Sequence, residues 1–205
     1  MGTDGEGLAP GYIAHWVVKT ARTKEMIDWY GTVFGARVVH HDNRLTFLTW
    51  DAESHRLALL RVPKALRYLL PFARFRRKFY GIDHIGLTVP SLDRLLLTYE
   101  RLKAAGITPV WAINHGLTTS LYYEDPDGIR LEFQVENFPT SAETADYFAT
   151  PAFADNPIGV TFDPDYLLAQ MRSGVARDEL VKQGSGTPAG QRPRANRRAV
   201  SWRSL

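Results

Sequence analysis

GYIAHWVV (residues 11–18) and YGIDHIGLTV (residues 80–89) decide how this chain is to be read. Each is a short apolar strand pattern holding Ile, one further residue and then His, so His15 and His84 fall at matching points. Self-similarity of this kind marks a repeated supersecondary unit. A helical stretch follows each: TKEMIDWYGTVFG (23–35) and SLDRLLLTYERLKAAG (91–106). Met26, Ile27, Tyr30, Val33 and Phe34 form one apolar face in the first, and Leu95, Leu96, Tyr99 and Leu102 in the second. Ser91 is a natural N-cap and Gly106 a natural stop.

Three strand patterns then follow in each half. They are ARVVHH, RLTFLTW and HRLALLRV in the first, and TPVWAI, TTSLYYE and IRLEFQV in the second. The final hairpins align without a gap: Asp51–Ser54 over Asp125–Gly128, then Arg56-Leu57-Ala58-Leu59 over Arg130-Leu131-Glu132-Phe133. The order is βαβββ, twice. One such unit exposes a sheet face, so two are needed to close a core. The expected fold is α+β: two tandem βαβββ modules forming one domain, with a curved mixed sheet around a metal-binding cleft.

The repeat also organises the polar residues. His15 and His84 are equivalents on the first strands, and Glu132 lies on the last strand of the second half. Its counterpart, Ala58, has no ligand atom. A lone His or Glu on a strand is ordinarily structural, but placement at repeat-related positions argues for a shared site. Two His and one carboxylate with open positions is the donor set of non-haem Fe(II) oxygenases. His15, His84 and Glu132 are therefore the expected metal ligands, for Fe(II) with Mn(II) as the alternative ion. His55 before the Arg-Leu-Ala-Leu run, His115 in the loop before TTSLYYE, and Tyr122 on that strand are further candidates. Histidine exchanges a proton near neutral pH, and a tyrosine hydroxyl hydrogen-bonds a phenolate. On the same strand as Ala58 but three residues before it, His55 faces the objection of strict alternation. A bulge, or a chain still turning at the strand's start, would re-aim it. His40 and His41, beside Asp42 and Asn43, read as a polar strand end at a turn.

Composition bounds the rest. Of 205 residues, 44% are hydrophobic and 23% charged, as in ordinary globular proteins, and there is no cysteine for a disulfide or thiolate site. No apolar run approaches a membrane span, and the start MGTDGEGLAP is not a secretory signal, so no membrane insertion and a cytoplasmic setting are expected. A net charge of +3 does not by itself point to nucleic acid. The connection at 63–80 is apolar and basic, with Leu66, Tyr68, Phe72 and Phe75 among Arg67, Arg74 and Arg76, and is read as a cap or dimer contact. Asp163-Pro164-Asp165 predicts a helix start, with the helix ending near Gly174. From Gly184 the chain is rich in Gly, Pro, Ser and Arg and is read as a disordered basic tail. The expected boundaries are a domain over 1–160, with modules at about 11–62 and 81–137, a helical extension at 161–183, and the tail at 184–205.

These residues resemble the vicinal oxygen chelate superfamily of glyoxalases, bleomycin-resistance proteins and type I extradiol dioxygenases. The resemblance covers roughly residues 11–137 and is strongest to single-domain extradiol enzymes of the 2,3-dihydroxybiphenyl type. It implies His15, His84 and Glu132 as metal ligands, His55 as acid–base residue, and His115 and Tyr122 as residues that orient the substrate. Asn156-Pro157-Ile158-Gly159-Val160 and the following Phe162–Asp165 resemble a segment of small relatives. The implied activity is cleavage of a catechol beside its two hydroxyls, with both atoms of O2 entering the product, by a homo-oligomer whose partners are the diol and O2. The alternatives are a glyoxalase-like metal-dependent isomerase or lyase, which typically uses four protein ligands, and a non-catalytic protein that binds an aromatic ligand. Ala58 argues against the first, and the full set of His, Glu and Tyr against the second.

Overall fold

Alternation of helical and strand periodicities carries directly into the element order. A computed structural model describes residues 12–66, 81–192 and 194–195. The first βαβββ module is β1 (Trp16–Thr20), α1 (Thr23–Phe34), β2 (Arg37–His41), β3 (Leu45–Thr49) and β4 (Leu57–Arg61). The second is β5 (Ile85–Thr88), α2 (Leu92–Ala104), β6 (Trp111–Asn114), β7 (Thr118–Glu124) and β8 (Arg130–Glu136). Beyond it come α3 (Ser141–Phe148), α4 (Pro151–Asp155), β9 (Val160–Thr161), α5 (Pro164–Arg172), α6 (Arg177–Leu180) and β10 (Arg194–Ala195).

The chain divides into two compact units, each built on one module and each with its own mixed sheet. The first unit holds residues 12–66 and also the turn Asp125–Gly128; the second holds residues 81–124 and Ile129 onward. The four-stranded sheet of the first unit has the order β1-β4-β3-β2. In the second unit the order β5-β8-β7-β6 repeats it and is extended by β9 and β10. In both, the first strand runs parallel to the last and the other module pairs are antiparallel.

The helices form where their apolar spacing predicts. Met26, Tyr30 and Val33 line the buried face of α1, which Gly35 ends in a left-handed conformation (φ 68°). Ser91 caps α2 by accepting from Arg94 N–H at 3.2 Å, and Leu92, Leu95, Leu96, Tyr99 and Leu102 are buried. That face packs on β7, β8 and α5. In the first unit, buried Tyr30 donates its hydroxyl to Asp125 Oδ2 at 3.2 Å.

After β8 the chain holds more order than its composition suggests. Helix α5 begins at Pro164, with Asp163 accepting from the N–H groups of Asp165 and Tyr166, and buries Leu167 and Leu168. The expected tail starts too early at Gly184. Ser185 O accepts from Gln170 Nε2 at 2.7 Å, and Gly186 O from Asp163 N–H at 2.9 Å. A glycine is needed at 186, because a Cβ there would meet Phe162 Cβ at 2.6 Å. Hydrogen bonds to backbone carbonyls and a close glycine contact, not apolar burial, hold residues 184–187. Most of the connection at 63–80 and the last ten residues of the tail lie outside the described residues. Among the described residues, no helix is long and apolar enough to cross a membrane.

Candidate active site

Parallel pairing of β5 with β8 sets Gly86 opposite Glu132, and antiparallel pairing of β8, β7 and β6 adds Tyr122 and then Trp111 to the same row. Paired residues of adjacent strands share a face, so this row is one surface of the second sheet. His84, two residues before Gly86, belongs to the same face. Its Nε2 lies 3.1 Å from Glu132 Oε2, and its Nδ1 lies 2.8 Å from Asp83 Oδ1. Gly86 keeps the approach to Glu132 clear: a Cβ there would come within 3.4 Å of Oε2.

Glu132 is 5% exposed and so must be satisfied internally. Tyr122 donates its hydroxyl to Glu132 Oε1 at 2.7 Å. Burial opposes ionisation of the carboxyl, but hydrogen bonds from His84, Tyr122 and Ser120 outweigh it and bring the group down to about 2. Glu132 is thus held as a carboxylate. The hydrogen bond to Glu132, and behind it that to Asp83, raises the His84 imidazole above its ordinary range despite partial burial. Burial, with Glu132 second, pushes the Tyr122 phenol well above its usual range, so it remains a donor.

His115 reaches this face from the β6–β7 turn. Its Nε2 is 3.1 Å from the Tyr122 hydroxyl and 3.8 Å from Glu132 Oε1, and its Nδ1 is 2.5 Å from Ile158 O. A carbonyl only accepts, so Nδ1 carries a ring proton and donates it to Ile158 O. Burial pushes this imidazole below its ordinary range, which favours the neutral ring. Trp111 packs against Tyr122 in a tilted pair with ring centroids 4.8 Å apart.

The first sheet repeats the row with different chemistry. Val17, Ala58, Phe47 and His40 take the register places of Gly86, Glu132, Tyr122 and Trp111. His15, two residues before Val17, takes the place of His84. His55 lies in the turning chain just before β4, and its ring is 4.4 Å from those of both His15 and Phe47. His55 precedes the strand, so its ring lies beside Phe47, the cross-strand partner of Ala58, despite the odd spacing from Ala58. His40 and His41 lie within β2 itself, and the turn begins at Asp42.

Of the six residues expected from sequence, the structure gathers His84, Glu132, His115 and Tyr122 in the second unit and sets His15 beside His55 in the first. Among the described residues, no group of three or more His, Asp or Glu side chains is gathered tightly enough to be a metal site by itself. Four contributors were not foreseen: Asp83, Ser120, Trp111 and the carbonyl of Ile158. Asp83 had a readable signal, since it stands where the first repeat has Ala14. The Ile158 carbonyl had none, being a backbone atom.

The sequence around this site is shared with a known family. Residues 12–133 match the family model described as Glyoxalase/Bleomycin resistance protein/Dioxygenase superfamily, and the chain belongs to that superfamily. Within it, the chain is 43% identical over 168 residues to biphenyl-2,3-diol 1,2-dioxygenase 2 of Rhodococcus globerulus, covering 82% of this chain and 85% of that one. It is 38% identical over 170 residues to biphenyl-2,3-diol 1,2-dioxygenase 3 of the same organism, covering 82% and 86%. Among solved structures, a glyoxylase/bleomycin resistance protein/dioxygenase domain from Frankia sp. EAN1pec aligns with TM-score 0.49 and 17% identity, over 62% of this chain and 99% of that one.

Proposed function

We propose that this protein is an extradiol ring-cleaving dioxygenase that opens a catechol-type diol beside its hydroxyls and inserts both atoms of O2, using one Fe(II)-type ion. The observation that carries the reading is the His84–Glu132 pair with its supporting residues. A spacing of 3.1 Å suits two neighbouring donors each about 2.0–2.2 Å from one ion. Asp83 beside His84 Nδ1 is the carboxylate–histidine arrangement that turns Nε2 towards a metal. Glu132, ionised under burial, supplies the negative charge. The third donor in this proposal is His15, which takes the place of His84 in the first module; Ala58 leaves the fourth place empty for substrate. The named activity of the two relatives supports the same reading.

Bound there, the ion supplies Lewis acidity that lowers the pKa of a diol hydroxyl and a meeting point that spares much of the entropic cost of bringing diol and O2 together. The chain's own residues do the rest. His55 takes the proton from the diol hydroxyl and returns it later. Tyr122 fixes Glu132 and presents its phenol oxygen to the ring oxygens. His115 turns its Nε2 to the diol and hydrogen-bonds one of its oxygens. Trp111 keeps the Tyr122 ring in place and excludes water beside it. In the same proposal the enzyme works in the cytoplasm as a homo-oligomer, which fractionation and light scattering check.

Aerobic incubation of Fe(II)-loaded protein with a panel of catechols, followed on an oxygen electrode, tests the reading. Oxygen uptake matched by a yellow ring-opened product is expected. Substrate-independent behaviour, or turnover of a glyoxalase substrate instead, would overturn it.

A further inference from the structure

We infer that Asn137 is a positioning residue that fixes His115 by clamping the turn on both sides of it. The inference rests on the role given above to His115. Asn137, just past the end of β8, is 6% exposed, and Asn114, immediately before His115, is 4% exposed. Asn137 Nδ2 donates to Gly116 O at 2.9 Å and to Asn114 Oδ1 at 3.1 Å, so one amide holds the residues before and after His115. Its Oδ1 accepts from Thr119 Oγ1 at 2.8 Å, and its backbone N–H donates to Leu117 O at 2.8 Å. Asn114 Oδ1 also accepts from Gly116 N–H at 2.8 Å. Both donors and the acceptor of the Asn137 amide are used, so its orientation is determined by the network.

The segment after α5 supports the clamp from the other side. Asn114 Nδ2 donates to Val181 O at 2.7 Å, and Gln183 Nε2 to Asn114 O at 3.3 Å. Arg177 donates to Glu136 O at 2.8 Å and to Asn137 O at 3.3 Å. Gly159, at φ 107°, passes so close that a Cβ would lie 2.2 Å from Asn114 O, which brings the neighbouring Ile158 carbonyl to His115 Nδ1. Residues 177–183, far along the chain from the module, therefore help set the direction of one imidazole. Asn137 touches neither substrate nor reacting atoms; its effect passes through His115.

A double-mutant cycle reads this on the full-length, Fe(II)-loaded enzyme with 2,3-dihydroxybiphenyl as probe. Asn137→Ala should lower kcat about 10–100-fold with little change in KM, the scale of a small misplacement of a reacting group. In a His115→Ala background the same change should cost nothing further. An equal loss in both backgrounds, or full turnover in folded Asn137→Ala, overturns the inference. Should Asn137→Ala not fold, Asn137→Asp keeps the shape, removes the Nδ2 donor and is read the same way. Ring 15N signals of labelled histidine separate the two layers. If His115→Ala keeps full turnover, the reading of His115 fails, while altered His115 ring signals in the Asn137 variant still support the clamp. Unaltered signals refute it.

Discussion

Tyr122 donates its phenolic hydroxyl to Glu132 Oε1 at 2.7 Å, across a cross-strand pair that the register of β7 and β8 enforces. Tyr122→Phe keeps the ring packed against Trp111 but removes that donor. Metal content should stay near that of the parent, since none of the three proposed ligands is changed. Turnover should fall about 10–100-fold, the equivalent of a hydrogen bond to a charged group worth roughly 1.5–3 kcal/mol. A Tyr122→Phe enzyme with unchanged kcat would remove the phenol from the reaction.

The His55 and His15 rings lie 4.4 Å apart, tilted by 34°, yet they are given different work in the proposal. His55→Gln should bind metal normally and lose about 10²–10⁴-fold in kcat, as expected for loss of acid–base catalysis. His15→Ala should instead abolish metal binding, measured by elemental analysis of the purified protein. Loss of metal from the His55 variant, or its retention by the His15 variant, would reverse the assignment.

Stability should respond most at the buried leucines of α2. Leu95 is fully buried on the face that meets β7 and β8, and Leu95→Ala should cost about 2–5 kcal/mol in denaturant unfolding. A loss under 1 kcal/mol would mean that this helix does not close the core of its unit.

Asp42 ties the β2–β3 turn by accepting from the N–H groups of Arg44 at 2.7 Å and Leu45 at 2.8 Å. Those backbone hydrogen bonds, with His40 beside them, lower its carboxyl from 3.8 to about 2. A depressed carboxyl stabilises the fold above its unfolded pKa and loses that contribution as pH falls through the folded one. The Tm of the parent should therefore drop more steeply between pH 4 and about 2 than that of Asp42→Asn. Parallel profiles would show that the turn does not depend on this carboxylate.

Much of this architecture was legible because the chain writes it twice. Matching Ile-x-His strands and gap-free final hairpins put Ala58 over Glu132, and the register bears this out, with Val17 opposite Ala58 as Gly86 is opposite Glu132. Side chains with a repeat partner could be placed; those outside the repeat could not. Helices α3 and α4 lie outside the repeat, although Thr140 Oγ1 caps the first by accepting from Glu143 N–H while donating to Glu143 Oε2, and Thr150-Pro151 is a standard helix entry. The order at 184–187 is hidden in the sequence for a different reason. Glycine and serine there are held by backbone carbonyls, which leave no trace in composition. The Asn114–Asn137 network was equally silent, since two buried amides far apart in sequence look like surface residues until the strands bring them together.

Isotope tracing tests the insertion of both oxygen atoms most directly. Fe(II)-loaded enzyme is given 2,3-dihydroxybiphenyl under 18O2, and the ring-opened product is weighed by mass spectrometry. The proposal requires both heavy oxygen atoms in a single product molecule, formed with one O2 consumed per diol. A product carrying one labelled atom or none, or a diol left intact while the metal is bound, would contradict it.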